Sequence, residues 1–158
     1  LVEHWHGSQM SSSSERASAD FSGPWYGAGW YMRENHPQHG YYRWIGPDAA
    51  ASLWLPVPRA EQVELRFRVI ASCSEEILNT LTASVSGVPI KLSLEADPKG
   101  GIVFRGPVFL SRLAQQPPVV EVQWQLPYTR PPSSWDPGNP DPRRLGIALN
   151  LVELTPLK

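Results

Sequence analysis

The run QVELRFRVIA, residues 62–71, sets Val63, Leu65, Phe67 and Val69 on one side of an extended chain and Glu64, Arg66 and Arg68 on the other. Successive side chains of a strand point to opposite faces, so this two-residue alternation predicts a β-strand with one buried and one wetted face. A helix would spread the same residues around its whole circumference. The chain must therefore provide a second apolar layer to cover that face.

Other segments repeat the pattern. YYRWI (41–45) is aromatic-rich, and ASLWLPV (51–57) places Leu53 and Leu55 together. TLTASVSG alternates Leu81, Ala83 and Val85; a turn at 87–89 then leads into IKLSLE, where Ile90, Leu92 and Leu94 share a face, which predicts a hairpin. DPKGG (97–101) has strong turn chemistry and precedes IVFRGPVFL. PVVEVQWQL aligns Val120, Val122, Trp124 and Leu126, and LGIALNLVEL reads as one alternation of Leu145, Ile147, Leu149, Leu151 and Glu153. No segment carries a sustained helical stripe, although 74–78 and SRLAQQ (111–116) each suit a short turn. Seventeen prolines oppose long helices and suit short strands divided by turns. The pattern predicts at least seven strands in an all-β, antiparallel two-layer sandwich of jelly-roll type.

A length of 158 residues fits one domain. Residues 1–20, with their serine run, read as a linker or flexible arm, and 21–158 as a single β-sandwich domain. The first residue is leucine and no leader pattern follows, so a fragment of a longer protein is expected. A formal net charge of −1 offers no footprint for nucleic acid. No apolar run approaches the roughly 20 residues that cross a bilayer. Cys73 is the sole cysteine, so no internal disulfide forms; a small buried residue is expected there, and a cytoplasmic location is favoured. His4 and His6, or His36 and His39, lack the further ligands that a metal site requires, so neither a metal nor a cofactor is expected.

GWYMRENHPQHGYYRWIGPDAAASLWL (29–55) concentrates indole and phenol rings around Glu34 and Arg43. Flat apolar rings beside charged forks can hold a polar, ring-shaped ligand, and they can equally close the end of a sandwich. A second such set lies in the proline-rich loop before the last strand, where Trp135 precedes Asp141 and Arg143. Trp135 suits either stacking on a sugar or folding over the sheet edge, and each acid–arginine pair suits either recognition or pinning. Glycoside hydrolysis would need two facing carboxyl groups, for which Glu34 with Asp136 or Asp141 are the candidates. Signatures of other enzyme classes are missing, which favours binding over catalysis.

Three motifs, GWYMRE, YYRWIGPDAAASLWLP and DPRRLGIALNLVEL, together resemble a pattern of small β-sandwich modules appended to bacterial glycosyltransferases and methyltransferases of surface-polysaccharide assembly. The resemblance spans most of residues 27–158 and marks Gly29, Trp30, Glu34, Arg43, Trp44, Asp141, Arg143, Leu145 and Gly146. It implies a galactose-binding-like or carbohydrate-binding jelly roll without catalytic activity. The expected ligand is a glycan or polysaccharide, contacted by Trp30, Glu34, Arg43, Trp44, Trp135, Asp141 and Arg143, with a catalytic domain of the same parent chain as a further partner. The alternative is a structural or protein-interaction module that packs on its parent enzyme or on a partner subunit.

Overall fold

A computed structural model describes residues 10–12, 17–22, 25–58, 60–110 and 118–157. In chain order the strands are β1 (Met10–Ser12), β2 (Ala17–Ala19), β3 (Gly27–Ala28), β4 (Glu34–His36), β5 (Gly40–Trp44), β6 (Ala50–Pro56) and β7 (Gln62–Ser72). A short helix α1 (Glu76–Thr80) leads to β8 (Thr82–Val85), β9 (Val88–Pro89), β10 (Ser93–Ala96), β11 (Ile102–Phe109), β12 (Val119–Gln125) and β13 (Ile147–Pro156). Among the described residues all pairings are antiparallel and make two sheets. The larger, of eight strands, runs β1-β2-β13-β7-β11-β10, with β5 also on β13 and β4 on β5; the smaller runs β3-β6-β12-β8-β9.

The two sheets close over one core. Val63, Leu65, Phe67 and Val69 of β7 are buried, as the alternation predicts, and so are Leu53, Leu55, Val120, Val122 and Trp124 from the smaller sheet. Phe67 stacks on Phe104 at 4.9 Å and meets the Trp124 indole edge-on at 5.6 Å, which joins the layers at their centre. Each such side chain contributes about 1.5–3 kcal/mol when fully withdrawn from water. Ile77 of α1 is fully buried and joins the same core.

Three expectations are corrected. The run IKLSLE does not form one strand: β9 ends the smaller sheet, the chain crosses at 90–92, and β10 joins the larger sheet beside β11. Ile90 stays buried while Leu94 is exposed. The crossing lies so close to β11 that a Cβ on Gly106 would sit 2.3 Å from Ile90 Cγ2 and 2.7 Å from the Lys91 carbonyl. On β13 the register against β7 slips on either side of Leu149, so Val152 and Leu154 take the core positions and Glu153 faces outward. A one-residue slip moves every later side chain to the other face. The arm expected over 1–20 is not loose throughout, because β2 pairs with β13 and buries Ala17 and Ala19. The His4–His6 segment and the turn expected at 111–116 lie outside the described residues.

Candidate functional site

Five of the seven expected site residues converge at one corner. Arg143 Nε and Nη2 fork onto the Asp141 carboxylate at 2.8–3.1 Å, and Arg143 Nη1 donates to Glu34 Oε2 at 3.0 Å. The guanidinium lies 5.2 Å from the centre of the Tyr31 ring, and Tyr42 donates its hydroxyl to Glu34 Oε1 at 3.3 Å. Tyr31 and Tyr42 pack with Trp44, Leu145 and Ala148, and Trp135 tilts against Trp44 at 6.3 Å. Hydrogen bonds from Arg143 hold the Asp141 carboxyl below its ordinary pKa, while burial and then the Glu34 charge raise that of the Tyr42 phenol.

The other two residues lie elsewhere. Trp30 packs among Phe21, Trp25 and Trp124 and donates its indole N–H to the Ser52 carbonyl at 2.8 Å, so it is largely a core residue. Arg43 falls on the opposite face of β5 from Trp44, where its guanidinium covers Trp25 at 4.6 Å and donates to the Tyr31 carbonyl. Burial, and then the charge of Arg33, lowers its pKa. The expected Glu34–Arg43 pair is therefore replaced by Glu34–Arg143, since Glu34 stands opposite Tyr42 in the β4–β5 register.

The three sequence motifs meet here as one clasp. Gly46 N–H bonds the Gly29 carbonyl, Gly146 N–H bonds the Ile45 carbonyl, and Ile45 N–H bonds the Ile147 carbonyl. Gly29 has a φ of +90°, and a Cβ there would lie 2.3 Å from the Ala50 carbonyl oxygen, so only glycine fits. Both acids of the proposed carboxyl pair share one arginine, and Asp136 accepts from Asn139. A general acid needs a raised pKa, and Asp141 shifts the other way. The ionic contacts of this corner are already satisfied within the chain.

A second site lies on the outer face of the smaller sheet. There a groove of about 670 Å³ is lined by Ser52, Thr82, Ser84, Gln123, Gln125 and Asp48, with Ala28, Gly29 and Ala50 among its small neighbours. The strand registers make it a ladder: Ala50, Gln125 and Thr82 form one rung, and Ala28, Ser52, Gln123 and Ser84 the next. In the rung beyond, Trp54 stands opposite Glu121, and its N–H bonds the Tyr26 carbonyl at 2.8 Å. Tyr26 and Trp54 are 42% and 38% exposed, and the Gly27–Leu53 pairing with the Trp54 N–H to Tyr26 carbonyl bond sets them side by side in backbone register. Gln123 donates to Glu121 at 2.6 Å, and Ser84 donates to Gln123 at 3.4 Å. No lysine or arginine is among the residues that line the groove.

Of these groove residues only Gly29 is marked by a motif position; Asp48, Ala50, Ser52 and Trp54 lie within the quoted motifs without being singled out, and Thr82, Ser84, Gln123 and Gln125 lie outside them. Their signal is the outward half of the alternation: an indole at a solvent-facing position of a strand whose other face holds Leu53 and Leu55. Compared with models of known protein families and with curated proteins, the chain matches none. No helix among the described residues is long and apolar enough to cross a membrane, and no cluster of metal-ligating side chains occurs among them.

Proposed function

We propose that the chain is a non-catalytic carbohydrate-binding domain that holds a glycan on the outer face of its smaller sheet, as an accessory to a glycosyltransferase- or methyltransferase-type protein. The single observation that carries this reading is the exposed Tyr26–Trp54 pair beside a groove of hydroxyl and amide side chains. Flat rings give contact area at low entropic cost to the apolar faces of a pyranose, while amides and hydroxyls exchange hydrogen bonds with its hydroxyl groups. The groove volume falls within the usual range for small-ligand sites. We propose with it that the sandwich is a galactose-binding-like jelly roll. Tethering a glycan close to an active site raises its local concentration without any chemistry.

The expected aromatic platform at Trp30, Trp44 and Trp135 gives way to Tyr26 and Trp54, because Trp30 and Trp44 are committed to packing. Trp135, 41% exposed beside Trp44, favours a second contact, the docking of this corner on the parent enzyme. Affinity electrophoresis of the full chain through gels that contain immobilised polysaccharides tests the main reading. Retardation that Trp54→Ala weakens at least about tenfold, or ~1.4 kcal/mol, supports it. Migration unchanged by every polysaccharide overturns it.

A further inference from the structure

We infer that the groove takes an internal stretch of an extended, uncharged polysaccharide, rather than a chain end or an acidic polymer. This rests on the carbohydrate reading above and specifies its ligand.

Length is the first argument. Gln125, Gln123 and Glu121 project from alternate positions of β12, each in its own rung, so the outer two lie about 13 Å apart at the usual rise of about 3.3 Å per residue. One pyranose ring does not fill that distance. The rungs also differ in chemistry: Thr82 and Gln125 in the first, Ser52, Gln123 and Ser84 in the second, Trp54 and Glu121 in the third. Successive sugar units would meet different partners, which suits an oligomer laid along the strands.

The ends of the ladder supply the second argument. Ala50, Thr82 and Gln125 in the first rung and the neighbouring Asp48 are exposed, and so are Tyr26 and Trp54 in the third. Among the described residues both ends are thus exposed, which suits a polymer that runs past them. Gly29, Ala28, Ala50 and Ser52 give short or absent side chains where the ligand would lie.

Charge supplies the third. Asp48 lies at one end and Glu121 at the other, and the lining residues include no cation to offset them. Among the described lining residues, a uronate or phosphate-bearing chain would meet like charge without an arginine or lysine partner.

Calorimetric titration of the full chain tests this with glucose- and mannose-based series from monosaccharide to hexasaccharide, the same oligomers with the reducing end reduced or the non-reducing end blocked, and a polyuronate. Affinity is expected to rise at least about tenfold from monosaccharide to tetrasaccharide and then level off. Blocking either end should leave it unchanged, and the polyuronate should bind at least about tenfold more weakly. Trp54→Ala and Gln123→Ala should each reduce the gain with length, while thermal unfolding shows both variants folded. Tight monosaccharide binding, loss of binding on end-blocking, or preference for the polyuronate, each sensitive to Trp54→Ala, overturns the inference and leaves the carbohydrate reading standing. Absence of binding by every saccharide overturns both.

Discussion

Arg143 reaches Glu34 across 109 positions of sequence, with Nη1 donating to Oε2 at 3.0 Å while the rest of the guanidinium grips Asp141. The ion pair fastens the proline-rich loop to the β4–β5 hairpin, next to an edge of β13 that β5 and β2 share. A double-mutant cycle with Glu34→Gln and Arg143→Met should give a coupling of roughly 1 kcal/mol, the upper end for partly exposed pairs. Additive single effects in urea unfolding would refute the fastening role.

Acid should loosen the same clasp. Arg143 depresses the Asp141 pKa through its hydrogen bonds, and the Lys99 amide and then Arg68 do so for Asp97. A carboxyl whose folded pKa lies below its unfolded value of about 3.9 contributes stability above that value and loses it as pH falls through the folded one. The melting temperature should hold down to pH ~5 and then drop. Arg143→Gln should make the acid limb of a calorimetric pH series shallower; an identical limb would contradict the assignment.

Trp30 and Trp54 should behave oppositely. Trp30→Ala removes an indole packed among Phe21, Trp25 and Trp124, at a cost of about 3–5 kcal/mol. Trp54→Ala alters an outward ring and should change stability by no more than about 0.5 kcal/mol. Equal losses in chemical denaturation would show that the outward face of β6, which carries Trp54, is misassigned.

Cys73 is 2% exposed, and burial pushes its thiol pKa up, so it stays protonated at neutral pH. An aromatic disulfide reagent should label the native chain slowly and the urea-unfolded chain at once. Rapid native labelling would mean that the strand end at Ser72 opens readily.

Much of the sandwich is legible in the sequence, and the exceptions have physical causes. Strand β7 reads cleanly because one face meets water and the other meets Trp124, so every second residue reports its side. Strand β13 reads correctly through Leu149 and then fails, because a register slip leaves no compositional trace. IKLSLE keeps one alternation although its two ends belong to different sheets. The ionic corner is half legible as pairs: Asp141 and Arg143, two residues apart, pair as their spacing suggests, whereas the expected Glu34–Arg43 pair fails because β5 turns Arg43 to the Trp25 side and Arg143 arrives from 109 positions away. The groove is the least legible, since Ser52, Gln123 and Gln125 resemble any wetted strand face and gain meaning only when three strands align.

The passage at 90–92 from one layer to the other has a thermodynamic consequence. With Ile90 buried in the shared core and its N–H held by the Ala83 carbonyl, and Gly106 tight beneath it, the crossing couples the melting of one layer to that of the other. Heat should therefore dissolve the molecule in one cooperative step. A saccharide seated outside β12 would thus raise the melting point of Arg66 and Glu153 on the far side as much as that of its own contacts.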